Sequence, residues 1–324
     1  MIYPRNEWDQ LKKVIVGVAD YAQIPDMDLS LRTINYADVA DVSSIKTGPY
    51  PEQVITEANE DLEIFCNFLR GEGVEVLRPK REPTDYYNYC PRDSVFLYAD
   101  LAVATPQPLR SRVGNWRSFK HHLNNVVEVP CSYHDELYDQ RCVGNPNILA
   151  LTEVTPAFDA ANVIRANEDV LYLQSNSGNA SGAQLLQNML NSDAEVHIVK
   201  DIYTYVHIDT TIAFLREGLL MVNPTRVTDP KKQLPYPFNT WDVIEAPDPV
   251  DIGHYPGYNN ASEWCNMNLF SVSPNLVALE EHQHPTRRIL ETYGIDCAML
   301  PMRHQRTLSG GFHCVTLDLE RKCI

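Results

Sequence analysis

Four stretches of the chain repeat one arrangement of apolar and polar positions: two apolar arms around a short polar turn, the pattern of a β-hairpin. They cover 94–104 with the turn near Ala99-Asp100, 163–173 turning at Asn167-Glu168, 212–222 turning at Glu217-Gly218, and 267–279 turning at Pro274-Asn275. Two of them lead into a helical pattern and then a single short strand. After the second hairpin these are 183–190 and 196–199; after the fourth they are 285–293, closed by Gly294, and 297–300. The predicted unit is strand–strand–helix–strand. The longest amphipathic helix is predicted over 51–70, where Val54, Ala58, Leu62, Phe65 and Leu69 share a face. Pro51 suits its first turn and Gly71 its C′ position. A strand over 74–77 follows.

Near the C-terminus, Val315, Leu317 and Leu319 alternate with Thr316 and Asp318, the period of a strand buried on one face. This places Cys314 on a strand that starts directly after Gly310 and Gly311. Its missing hairpin partner is 13–18 from the N-terminus, which makes a fifth unit. A polar cluster precedes every hairpin: Cys90-Pro91-Arg92-Asp93, Phe158-Asp159-Ala160-Ala161-Asn162, Val206-His207-Ile208-Asp209 and Ala261-Ser262-Glu263-Trp264. Cys314 holds the analogous place in the fifth. Asp93, Asp159, Asp209, Ser262 and Cys314 follow one another at intervals of 66, 50, 53 and 52 residues. A repeat of this length denotes a ring or array of like modules, and closure into a ring brings the clusters together on the axis. Taken singly, each cluster is a turn or cap, and Cys314 a small core hydrophobe. Their common phase is what makes them one candidate site.

Composition narrows the class. Of 324 residues, 44% are apolar and 22% charged, ordinary values for a globular chain, here taken as a single domain over 1–324. No apolar run approaches the length of a membrane span. The first nine residues carry no secretory or organellar signal, so a cytoplasmic protein is expected. A net charge of −16 disfavours nucleic acid as a partner and suits a cationic small substrate. None of the eight cysteines forms a CxxC pair, and they are expected as thiols. His282 and His284 are taken as a loop before a helix, and no metal or cofactor is expected.

Cys314 with His207 meets the minimum for nucleophilic catalysis, and Asp159 is the candidate carboxylate to orient the imidazole. Asp93 and Asp209 converging on a thiol would raise its pKa unless a cation lies between them. A guanidinium matches carboxylates through paired hydrogen bonds, and its carbon is an electrophile for a thiolate. The set therefore points to attack on an arginine-like guanidine.

These residues resemble the glycine amidinotransferase family over nearly the whole chain. The resemblance is carried by Asn6-Glu7-Trp8-Asp9 with Val14-Ile15-Val16-Gly17, Gly71-Glu72-Gly73-Val74, Pro91-Arg92-Asp93, and Phe158-Asp159-Ala160-Ala161 with Ile164-Arg165-Ala166. It continues through His207-Ile208-Asp209, Asn223-Pro224-Thr225-Arg226, Ser262-Glu263-Trp264 and Gly310-Gly311-Phe312-His313-Cys314. It implies the α/β pentein fold, a propeller of five strand–strand–helix–strand modules about a pseudo-fivefold axis, and a homodimer. It implies Cys314 as nucleophile, His207 as general acid/base and Asp159 as the carboxylate of the catalytic set. Asp93 and Asp209 correspond to residues that hold the guanidinium, Arg226 to one that binds the substrate carboxylate, and Ser262 to one lining the pocket. The implied reaction moves the amidino group of L-arginine through a Cys-amidino intermediate to an acceptor amine, glycine first, giving guanidinoacetate and ornithine. Asn162 stands where the family usually has a second Asp, Ala261 where a serine pair is common, and 201–206 departs from the animal enzymes. Other acceptors therefore stay open, as does a guanidine hydrolase of the arginine deiminase or dihydrolase type. A binding protein of this fold without catalysis would lack the nucleophile.

Overall fold

The computed structural model describes residues 3–322. Its strands form five three-stranded sheets of one design and one short two-stranded sheet. In each of the five, two strands pair antiparallel and a third runs parallel to one of them. The first contains Val95–Tyr98, Leu101–Ala104 and Val126–Glu128; the second Val163–Ala166, Asp169–Leu173 and Glu195–Val199. The third contains Ile212–Arg216, Leu219–Val222 and Asp242–Glu245; the fourth Phe270–Ser273, Leu276–Glu280 and Asp296–Leu300. The fifth joins the chain ends: Thr316–Lys322 pairs antiparallel with Gln10–Val16, which pairs parallel with Glu75–Leu77.

The hairpins form where the alternation places them, with Ala99 and Asn167 in the left-handed region at their turns. The connections vary more than the pattern predicts. The second, fourth and fifth units cross over through the helices Ala180–Leu190, His284–Thr292 and Glu52–Gly71. The first uses three 3-10 turns, and the third a single helical turn, Pro230–Gln233, with a 3-10 turn. The helix Glu52–Gly71 runs through Gly71, and the left-handed residue that ends the turn is Gly73, with φ of 76°. Among the described residues, no helix is long and apolar enough to cross a membrane. Seven cysteines are free thiols, and Cys323 lies outside the described residues.

Each polar cluster folds as a 3-10 turn at the entry of its hairpin: Pro91–Asp93, Ala160–Asn162, Ile208–Thr210 and Glu263–Met267. These turns touch in chain order, and the strand Thr316–Lys322 returns to touch the first. Two expectations for the fifth unit are corrected. The strand begins at Thr316, so Cys314 sits in the turn that leads into it. That strand is also buried on both faces over its first four residues, because Asp318 enters a buried ion network. Arg92 and Arg165 donate to both Asp318 and Glu7, and Arg321 donates to Asp318 at 2.7 Å. Pairing of every charge keeps this network from costing the stability that an isolated buried ion would.

Candidate active site

The turns that enter the third, fourth and fifth hairpins line one end of a cavity of about 600 Å³. Cys314, His207, Asp209, Arg226 and Ser262 line it. Asp93 and Asp159 do not line it; they lie against His207 in a buried charged cluster.

The nucleophile candidate is held from three sides. Asn268 accepts from the backbone N–H of His313 and of Cys314 through Oδ1, at 2.9 and 3.1 Å, and donates from Nδ2 to Cys314 Sγ at 2.9 Å. The Cys314 thiol donates to Asp209 Oδ2 at 3.0 Å. A hydrogen bond with the Cys90 thiol, burial and the Asp209 carboxylate together hold the Cys314 thiol well above its usual range. The two glycines serve this packing. A Cβ on Gly310 would stand 2.6 Å from Cys90 Sγ, and one on Gly311 would stand 2.9 Å from the Asn268 carbonyl oxygen.

His207 donates from Nε2 to Asp159 Oδ2 at 2.9 Å, and its Nδ1 stands 3.6 Å from Asp93 Oδ1. Burial works against its charged form, but Asp93 and the bond to Asp159 outweigh burial and raise its pKa. For Asp209, burial is outweighed by the His313 bond and charge and by His207, and its pKa falls to about 2. Burial raises the pKa of Asp93.

Sequence reasoning missed three of these groups. Arg112 bridges the acids: Nη1 donates to Asp159 Oδ2 at 2.6 Å, and Nη2 lies 3.1 Å from Asp93 Oδ2. Each acid keeps a buried oxygen with no hydrogen-bond partner, Asp93 Oδ1 and Asp159 Oδ1. Asn268 and Cys90 complete the list. The only sequence signal for Cys90 was its place in the first polar cluster, and Arg112 and Asn268 carried none.

Arg226 stacks on Tyr203, its guanidinium carbon 3.7 Å from the ring centroid. Its Nη1 donates to Thr210 O, Thr210 Oγ1 and Thr211 Oγ1 at 2.8–2.9 Å, which leaves Nη2 and Nε without a partner among the described residues. Ser262 starts the 3-10 turn Glu263–Met267, makes no capping bond with its side chain, and is exposed to the cavity.

The chain is 36% identical over 342 residues to an inosamine-phosphate amidinotransferase of Streptomyces glaucescens, covering 99% of this chain and 97% of that one. It belongs to the amidinotransferase family of the pentein superfamily. A mitochondrial glycine amidinotransferase of Gallus gallus is 30% identical over 98% of this chain and 82% of its own length. The solved inosamine-phosphate amidinotransferase of Streptomyces griseus superposes with a TM-score of 0.94 at 35% identity, covering 100% of this chain and 98% of that one. No family model matches. The protein is thus an enzyme of amidino-group transfer acting on small molecules, with a mixed α/β fold.

Proposed function

We propose that this amidinotransferase takes its amidino group from L-arginine, with Cys314 as nucleophile, His207 as general acid/base and Asp159 orienting His207. The observation that carries the reading is the polarity of one cavity. It has Cys314 beside an ionised Asp209 at one place and a half-free guanidinium, Arg226, at another. That is the complement of a molecule with a guanidinium at one end and a carboxylate at the other. Asp93 and Asp159 each keep a partnerless oxygen in the charged cluster behind His207. In this reading the five modules form a propeller about a pseudo-fivefold axis, and residues 1–324 act as one domain.

The guanidinium charge offsets Asp209 and favours the Cys314 thiolate, which attacks the guanidinium carbon. The C–S bond forms as the bond from that carbon to the ornithine nitrogen breaks. The thiol proton, carried by His207, ends on that nitrogen. Ornithine leaves and the amidino group stays on sulfur, a ping-pong intermediate. The acceptor amine then attacks the same carbon, His207 takes its proton, and the proton returns to Cys314 as the C–S bond breaks. Arg226 binds the anionic group of donor and acceptor in turn.

The resemblance in sequence points to glycine as acceptor, with guanidinoacetate as product. The cavity wall favours a larger amine rich in oxygen. Asn145, Asn176 and Asn259 line it, and their Oδ1 atoms accept from Asn147 N, Ala150 N and Arg306 Nη2. Their orientation is thereby set, and their Nδ2 groups donate to nothing among the described residues. Unmet donors of this kind suit hydroxyl or phosphate oxygens, which glycine lacks beyond its carboxylate. An aminocyclitol phosphate meets them. The test is an acceptor panel: arginine with glycine, lysine, 4-aminobutyrate or an aminocyclitol phosphate, measuring ornithine and guanidino products. Ornithine formation that depends on one amine supports the reading. Citrulline or ammonia formed at one rate with or without amines overturns transfer.

A further inference from the structure

His313 precedes the nucleophile and takes no part in the steps above, yet it is buried between two carboxylates. Its Nδ1 lies 3.3 Å from Asp209 Oδ2, the same oxygen that accepts from Cys314. Its Nε2 lies 3.6 Å from Glu7 Oε2. Each ring nitrogen of His313 thus faces one carboxylate. The ring's place is fixed by its own backbone, whose N–H donates to Asn268 Oδ1 at 2.9 Å and whose carbonyl accepts from Arg92 Nε at 2.8 Å. Glu7 is locked in turn: Arg165 donates to both of its oxygens at 2.8 and 3.0 Å, and Arg92 lies at 3.3 Å. A cavity of about 10 Å³ touches Glu7, Asp209, Ser271 and His313, room for about one water.

We infer that His313 is a positioning residue that holds Asp209 as an oriented anion toward the substrate guanidinium, with Glu7 as its counter-charge on the far side. This rests on Asp209 being a guanidinium holder. The link ties the active site to the chain's N-terminal segment through the axial ion network. Asp209 is faced by Cys314, His313 and His207 within the site, by Asp93 and Cys90 from the first hairpin's turn, and by Arg226, Tyr203 and Cys265 around the cavity. Of these, His313 is the group that touches Asp209 with one ring nitrogen and faces a second carboxylate, Glu7, with the other, so it is the one whose loss frees Asp209 to rotate and to take up a proton.

The test compares wild-type enzyme with His313→Gln, Glu7→Gln and Asp209→Asn, measuring kcat and the KM for arginine across pH, with thermal unfolding alongside. His313→Gln is expected to raise the arginine KM about tenfold. It should also move the acid limb of kcat/KM to higher pH by about one unit, the equivalent of that factor. Glu7→Gln is expected to move it in the same direction and less. A His313→Gln enzyme with a lower kcat or melting temperature but an unmoved acid limb and KM overturns the inference, since a packing role changes stability without retitrating Asp209. An Asp209→Asn enzyme with an unchanged arginine KM instead overturns the guanidinium reading beneath it.

Discussion

Cys314 rests as a thiol because three neighbours disfavour its charge: the hydrogen-bonded Cys90, the low-dielectric surroundings and the Asp209 carboxylate. A raised thiol pKa means the thiolate fraction of free enzyme grows only above the ordinary thiol value of 9.0. Alkylation of Cys314 by iodoacetamide should therefore keep accelerating past that pH, and a plateau near neutrality would contradict the environment described. The cationic substrate then supplies the charge that the resting site lacks. Arg112 has the opposite task, neutralising Asp93 and Asp159 so that three buried acids can stand around one imidazole. Removing it in Arg112→Gln leaves both acids buried without their cation, a loss of about 3–5 kcal/mol for a broken buried pair. Denaturant unfolding measures that loss, and Arg112→Lys should restore part of it. Neither Arg112 nor Asn268 was legible in the chain. Arg112 sits in an irregular crossover with no period to mark it, and its partners are 19 and 47 positions away.

The hairpins were legible because alternating apolar arms and a polar turn are local signals, complete within a dozen positions. The fifth unit shows where local signals end. Apolar Val315 in step with Leu317 and Leu319 extends the strand pattern back to Cys314, but the chain there bends to give its amides to Asn268, 46 positions away. The glycines ahead of it leave room for Cys90 and Asn268. The difference between them is testable. At Gly310 the clash is with Cys90 Sγ, a side-chain end that can rotate away. At Gly311 it includes the Asn268 carbonyl oxygen at 2.9 Å, which is backbone. Gly311→Ala should lose more activity than Gly310→Ala under matched turnover assays. Gly17, at the end of the N-terminal strand, is tighter still: an added Cβ would lie 1.9 Å from Tyr89 O, so Gly17→Ala should not fold stably, as judged by circular dichroism.

At the scale of the molecule, five similar sheets put their entry turns side by side, and a single ion network of Glu7, Arg92, Arg165, Asp318 and Arg321 runs beneath them. Arg165 and its neighbours outweigh burial and hold Glu7 and Asp318 well below the usual carboxylate range. Asp209 is held at about 2 against an ordinary 3.8. A carboxylate with a depressed folded pKa adds stability that is full above its unfolded value and is lost as pH falls through the folded one. For Asp209 alone that is about 2 kcal/mol. Denaturation midpoints should accordingly fall steeply between the ordinary carboxylate pKa and about pH 2, and Asp209→Asn should shallow that fall.

The central claim is that the amidino group of arginine rests on Cys314 before an acceptor takes it. The direct measurement is to mix enzyme with guanidino-labelled arginine and no acceptor, quench, and map the label by peptide mass. The account predicts one amidino group on the peptide that carries Cys314, ornithine released in equal amount, discharge of the label on adding the acceptor amine, and no label in Cys314→Ala. Label that appears in citrulline or urea without ever residing on Cys314, or that survives in the Cys314→Ala enzyme, would contradict it.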